Sequence, residues 1–199
     1  MTPTRLPIRP LALAATLFAL ALGAGAAASP AAFKAGVFDP PRQAPDFVLQ
    51  GSDGHELRLS RYRGKVVLLA FGYSHCTAVC PVTLATFATA RSRLGAAAGE
   101  VQVVYVTVDP ERDTPERLRQ FLRVFDKTFV GGTGTEAQLA AVRKEYGVTA
   151  TKIPLGDSYN FAHSSFTYLI DRSGRIRALM PYGRSPEDFT HDLTILLKE

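Results

Sequence analysis

Cysteine is scarce in this chain of 199 residues, which carries only Cys76 and Cys80. Two cysteines exclude a disulfide-dense scaffold, and a domain of this length buries roughly two-thirds of its surface on folding, so it needs no cross-link for stability. A basic run is also missing. The net charge of +5 falls to +3 without Arg5 and Arg9, leaving 21 Lys and Arg against 18 Asp and Glu, which excludes the charge pattern of a nucleic-acid binder. No internal repeat or low-complexity tract occurs after residue 45, which excludes a solenoid.

The first 30 residues read as a targeting segment. Arg5 and Arg9 supply the positive start, an apolar run covers Leu11 to Leu22, and small residues lead to Ala26, Ala27 and Ala28 before Ser29-Pro30. The adjacent Arg pair of a twin-arginine signal is absent, and no Cys comes after the run to carry a lipid. A Sec-type bacterial signal fits, with export to the periplasm. Leu11 to Ala28 is 18 residues, borderline for spanning a bilayer, so residues 1–30 are a signal peptide or an N-terminal membrane anchor. Residues 31–44, rich in Pro and Ala and without periodicity, read as a linker, and the folded domain is expected over 45–199.

Two short strand-like runs flank Ser52-Asp53-Gly54 as a hairpin, and the continuous apolar run from Lys65 to Tyr73 suits a buried central strand. Pro81 belongs in the first turn of a helix that continues through Leu84, Phe87 and Leu94 to Gly95. Val101 to Val108 is a second buried strand, and Thr114-Pro115-Glu116 opens a helix over Leu118 to Phe125. A third helix spans Glu136 to Tyr146 and stops at Gly147, with a loop over 147–165 after it. Phe166–Ile170 and Ile176–Met180 form a hairpin about Asp171 to Gly174, and Pro186 to Leu197 closes the chain as a helix. This order predicts an α/β, thioredoxin-like fold, with an N-terminal β-hairpin and an inserted helix and loop before the C-terminal hairpin.

Cys80 should therefore sit at a helix start, with Cys76 in the loop before it. Unpaired N–H groups and the helix dipole there favour thiolate, which is both nucleophile and metal ligand. A two-residue spacer is usual for redox pairs of this fold, whereas the three residues here make a wider loop able to hold two sulfurs around one ion. Metal site, redox dithiol and structural disulfide all remain open on this ground.

A selective metal site needs a third donor, and the chain has four histidines. His55 in the first hairpin and His191 on the last helix read as solvated surface residues. His75, adjacent to Cys76, should point away from it and shape the loop or tune the thiol. His163 precedes a strand whose leading loop, in a thioredoxin-like fold, lies against the start of the first helix. Two sulfurs and one imidazole suit Cu(I), zinc accepts the same set with water, and Cu(II) asks for an added, harder ligand.

The segments FGYSHCTAVCP, VTVDPERDTPERL, GGTGTEAQLAAVRKEYGV and HSSFTYLIDRSGRI together resemble the Sco family, also called SenC, over nearly all of residues 44–199. These are copper chaperones of cytochrome c oxidase assembly. The resemblance implies copper held by Cys76, Cys80 and His163, in a metallochaperone rather than an enzyme. It further implies that the protein delivers copper to the CuA centre of oxidase subunit II, or reduces that subunit's cysteines, with another periplasmic copper or thiol protein as the alternative partner. The family's loop commonly reads Cys-Pro-Asp-Val-Cys with Asp before the histidine, whereas Thr77, Ala78 and Ala162 stand here. Both nearby carboxylates are thus gone, which should weaken any hold on Cu(II) and leave the donors for Cu(I) intact. Asp109 remains, as a turn cap before Pro110 or a metal neighbour. A periplasmic thiol–disulfide oxidoreductase using Cys76 and Cys80 is the alternative. A peroxiredoxin-like peroxidase is a further alternative, on the leader APDFVLQGSDG and Thr77-Ala78-Val79-Cys80, but this chain has Tyr73 where that family's motif requires proline.

Overall fold

The structure, a computed structural model, describes residues 1, 2 and 32–199. The targeting segment expected over 1–30 lies outside the described residues, apart from Met1 and Thr2. Among the described residues no helix is long and apolar enough to cross a membrane.

Two strands buried along their whole length form the centre, β4 (Val66–Gly72) and β5 (Val101–Thr107), paired in parallel from Val66↔Val101 to Gly72↔Thr107. Neither strand shows polar alternation, because both faces of each are covered. Antiparallel β9 (Thr167–Ile170) flanks β4, and β10 (Arg175–Met180) pairs with β9, as the turn at Asp171 to Gly174 predicts. The connections supply helices α1 (Val79–Arg93), α2 (Pro115–Arg123), α3 (Glu136–Tyr146) and α4 (Pro186–Leu197). Their starts obey sequence signals: Thr114 and Ser185 cap α2 and α4 ahead of a proline, and Thr135 with Gln138 makes a capping box for α3. Gly147, at φ 67°, ends α3 in the left-handed conformation that a side chain resists. Helices α1 and α4 pack together through Phe87 and Phe189, whose rings lie 5.2 Å apart. The arrangement is the expected thioredoxin-like one, with the first hairpin present as β2 (Val48–Gly51) and β3 (Glu56–Arg58).

Three segments differ from expectation. Residues 36–43 are not linker but strand β1 (Gly36–Gln43), antiparallel to β10, and the backbone N–H groups of Lys34 and Ala35 bind the buried Asp192 carboxylate of α4 at 2.7 and 2.9 Å. As an edge strand it is mostly exposed, and its register breaks between Val37 and Arg42, where the prolines lie, so it has no alternation to read. A third parallel strand, β6 (Val130–Thr133), pairs with β5 on one side and, antiparallel, with β2 on the other. Its two glycines dilute the apolar signal, yet the packing requires them: a Cβ on Gly131 would meet Leu118 at 3.0 Å, and one on Gly132 would meet Leu49 at 3.1 Å. The third difference is the segment 147–165, expected as loop, which carries a hairpin of β7 (Ala150–Leu155) and β8 (Ser158–His163), paired from Ala150↔His163 to Leu155↔Ser158. The main sheet thus runs β1-β10-β9-β4-β5-β6-β2-β3, and β7–β8 forms a sheet of its own.

Candidate metal centre

Strand β4 delivers the chain to the site at Gly72, and a buried carboxylate anchors the loop beyond it. Asp113 accepts hydrogen bonds from the Ser74 N–H (3.0 Å), the Ser74 hydroxyl (2.5 Å) and the Thr107 hydroxyl (2.6 Å), while Arg117 Nε donates to the Ser74 oxygen at 3.0 Å. The loop is thereby tied to the end of β5 and the start of α2. Ser74 and Asp113 carry no signal of this role in the sequence; only their meeting across 39 residues gives them one.

The loop carries Cys76, half-buried, and then enters α1, whose second residue is the buried Cys80; both thiols are free. Ala78 occupies the N-cap position and offers no side-chain cap. The Cys76 sulfur takes that part: the Cys80 N–H donates to Cys76 Sγ at 3.4 Å. A hydrogen bond from the Cys80 thiol, joined by the N–H groups of Cys80, Ala78 and Val79, outweighs burial and holds the Cys76 thiol at about 5. Cys80 moves the opposite way, pushed up by the Cys76 thiolate and by burial, against a partial offset from the Tyr105 hydroxyl. The pair is therefore asymmetric, an accessible thiolate beside a protonated, buried thiol. Close packing holds Cys80 from below, since a Cβ on Gly72 would lie 2.8 Å from Cys80 Sγ and collide with the Tyr105 hydroxyl.

His163 is the last residue of β8 rather than part of a loop. Its Nε2 stands 3.8 Å from Cys80 Sγ, and its Nδ1 lies 2.9 Å from the Ser164 carbonyl oxygen. A carbonyl only accepts, so Nδ1 carries the proton and the Nε2 lone pair faces the sulfur. The Tyr73 ring meets the imidazole edge-to-face at 6.0 Å, and its hydroxyl accepts from the Phe161 N–H at 3.3 Å. Burial is the largest influence on the Tyr73 phenol and raises its pKa.

The fold thus brings Cys80 and His163 together directly, with Cys76 one peptide amide away. Among the described residues no three His, Cys, Asp or Glu side chains are gathered closely enough to hold a metal as they stand. Two soft thiol donors and an imidazole nitrogen nevertheless converge, a donor set that fits Cu(I). The other histidines stay apart: His55 is exposed, His75 is exposed with Nδ1 3.2 Å from the Ser74 hydroxyl, and His191 lies 3.0 Å from Asp192 on α4. Asp109 is buried with its carboxylate bound to Arg112 and Tyr159, so the expectation that it caps the turn is corrected. Thr77, Ala78 and Ala162, where the resemblance would place Pro, Asp and Asp, are exposed.

With the cysteine loop, the facing histidine and the flanking strands in place, the SCO1/SenC family pattern matches residues 38–198. The chain belongs to the SCO1/SenC family. A SCO2-like protein of Rickettsia conorii is 32% identical over 146 residues, covering 72% of this chain and 71% of the relative. Bradyrhizobium japonicum ScoI, solved with copper bound, is 34% identical with a TM-score of 0.72, over 77% of this chain and 99% of that one. Yeast Sco1, also solved with copper bound, is 26% identical with a TM-score of 0.71, over 80% and 90% of the two chains.

Proposed function

We propose that this Sco/SenC protein binds Cu(I) through the Cys76 and Cys80 thiolates and the Nε2 of His163, and delivers it to the CuA centre of cytochrome c oxidase subunit II. The observation that carries the reading is the 3.8 Å approach of His163 Nε2 to Cys80 Sγ, across 83 residues of sequence and with the ring's proton on the far nitrogen. Two Sco relatives solved with copper support the cargo, and the family's involvement in cytochrome c oxidase assembly supports the direction of delivery. In this reading residues 1–30 export the domain to the periplasm, as a cleaved signal or a retained anchor on the inner membrane.

The residues divide the work. Cys76 is already ionised at neutral pH and presents the first sulfur from the exposed side. Cys80 gives up its proton when a cation sits beside it, because positive charge removes the repulsion that keeps this thiol protonated. His163 closes the set with a neutral donor, and its backbone-bound Nδ1–H keeps the ring oriented. An acceptor then takes the ion by stepwise ligand exchange, starting from the Cys76 side.

The asymmetry of the thiols favours a second activity at the same site, preparation of the acceptor's cysteines. The Cys76 thiolate attacks a partner disulfide, forming a mixed disulfide and releasing one partner thiolate. Cys80 then loses its proton to that thiolate and attacks the Cys76 sulfur. A Cys76–Cys80 disulfide forms and the partner leaves reduced, with one thiol and one thiolate that takes its proton from water, two electrons having been transferred.

The test is metal analysis of the reduced chain from residue 31 onward, loaded with Cu(I) and desalted, beside Cys76→Ser, Cys80→Ser and His163→Ala. One equivalent of copper held by the parent and lost in all three variants is the expected result. Copper retained by His163→Ala would refute the three-donor site, and a folded, reduced parent without copper would move the function to dithiol exchange.

A further inference from the structure

The hairpin that carries His163 shares no ladder with the main sheet, so something else must hold the imidazole over Cys80. One grip is Tyr73, whose hydroxyl accepts from the Phe161 N–H; a second comes from the turn after β5. Asp109 is fully buried: its Oδ2 accepts from Arg112 Nε at 2.5 Å, and its Oδ1 lies 2.9 Å from the Tyr159 hydroxyl, whose single proton faces both this oxygen and Glu111 Oε2 at 3.0 Å. Tyr159 lies on β8, four residues before His163, and its ring has the Arg112 guanidinium carbon and the Lys152 ammonium each 3.7 Å from its centroid. Arg112 Nη1 donates to the Tyr159 carbonyl at 3.0 Å. From the other strand, Lys152 pairs with Glu111 at 2.7 Å. The short turn therefore holds both strands of the hairpin, through an aromatic ring, a backbone carbonyl and charge-assisted hydrogen bonds.

We propose that Asp109 is a positioning residue which, through Tyr159 and Arg112, sets the β7–β8 hairpin and hence His163 over Cys80, and is not itself a metal ligand. The inference rests on the copper site proposed above. A carboxylate enclosed by protein and turned toward Tyr159 and Arg112 would have to swing away from them to reach a metal, and that would loosen the histidine it needs as co-ligand. Cu(I) also gains little from a hard oxygen where two sulfurs and an imidazole are offered. The same geometry gives Tyr159 a role that its sequence context does not announce.

The experiment compares Asp109→Asn, Tyr159→Phe and the double variant by three readouts: hydrogen exchange of the amides of residues 158–163 in the metal-free protein, Cu(I) affinity by chelator competition, and the copper ligand set by X-ray absorption. Loss of a hydrogen bond to a charged group predicts hairpin exchange roughly ten- to a hundredfold faster in each single variant. It also predicts a Cu(I) affinity about tenfold weaker with an unchanged ligand set, and a double variant that falls short of the sum of the two singles, because they share the Tyr159–Asp109 hydrogen bond while Asp109 keeps a contact of its own with Arg112 and Tyr159 one with Glu111. Tyr159→Phe keeps the ring and its cation contacts, so it carries the test alone if Asp109→Asn does not fold. An oxygen ligand lost from the copper shell in Asp109→Asn, or hairpin exchange in Tyr159→Phe equal to the parent, would overturn the proposal. Should the parent itself retain no copper, the copper site fails, while the exchange measurement still decides the positioning role.

Discussion

Alkylation of Cys76 across neutral pH tests the electrostatics of the site before any metal is added. Its thiol is held at about 5 against an ordinary 9.0, so at pH 7 roughly 99% is thiolate, compared with about 1% for an unperturbed thiol. The gain in thiolate, about a hundredfold, is nearly cancelled by the lower nucleophilicity of a less basic sulfur. With a Brønsted slope of about 0.4–0.5, a shift of about four in pKa weakens attack by roughly 40- to 100-fold. The absolute rate at pH 7 should therefore lie within a few-fold of an ordinary thiol and decides nothing. The pH profile decides. From pH 6 to pH 8 the rate should stay flat, whereas an unperturbed thiol would speed up by about a hundredfold, and half-burial slows both equally at every pH. The assay is brief iodoacetamide treatment of the reduced, metal-free protein with peptide mass spectrometry to read Cys76 separately from the buried Cys80. The Cys80 thiol is the largest cause of the shift, so Cys80→Ala should restore a rising profile and Cys80→Ser, which keeps a donor, should not. A tenfold rise per pH unit in the parent would refute the assignment of Cys76 as the ionised partner.

Three further outcomes are expected from the same geometry. Binding of one Cu(I) at pH 7 should release about one proton, that of Cys80, since Cys76 has already lost its own; calorimetry in buffers of different ionisation enthalpy measures this, and release of two protons would contradict the asymmetry. Gly72→Ala places a methyl group 2.8 Å from Cys80 Sγ, so it should cost about 1–3 kcal/mol in denaturant unfolding and weaken Cu(I) retention, and unchanged values would show that the floor of the site yields freely. A chain beginning at Pro45 lacks β1 and the two N–H donors to Asp192, and should unfold at lower temperature than one beginning at residue 31, by the equivalent of roughly 3 kcal/mol. Equal melting temperatures would return residues 31–44 to the status of a linker.

The elements legible in the sequence share one property: their burial is periodic or continuous. Val66 to Gly72 and Val101 to Thr107 are buried at every position, and the helices announce themselves through Thr114-Pro115, Thr135 with Gln138, and Ser185-Pro186. The elements that escape such reading lack that property. β1 and β7 bury almost nothing, and β6 keeps two of its four positions as glycine because neighbouring leucines fill the space. One local signal does mark the β7–β8 hairpin: Gly156-Asp157 is a two-residue turn, with Gly156 at φ 55°, lying between the paired Leu155 and Ser158.

The sequence by itself determined that a cysteine pair stands at a helix start after a buried strand, because strand, proline and spacing are local facts. It also singled out one histidine as the candidate third donor, through the order of elements along the chain. Only the tertiary structure decided that His163 Nε2 faces Cys80, that the Cys76 thiol is pushed toward thiolate and the Cys80 thiol away from it, and that the Asp109 carboxylate meets Tyr159 of the hairpin. Each of these depends on distances between groups remote in sequence and on which of them water reaches. Those quantities are set by how the strands and helices close around the site, and no local pattern of residues encodes them.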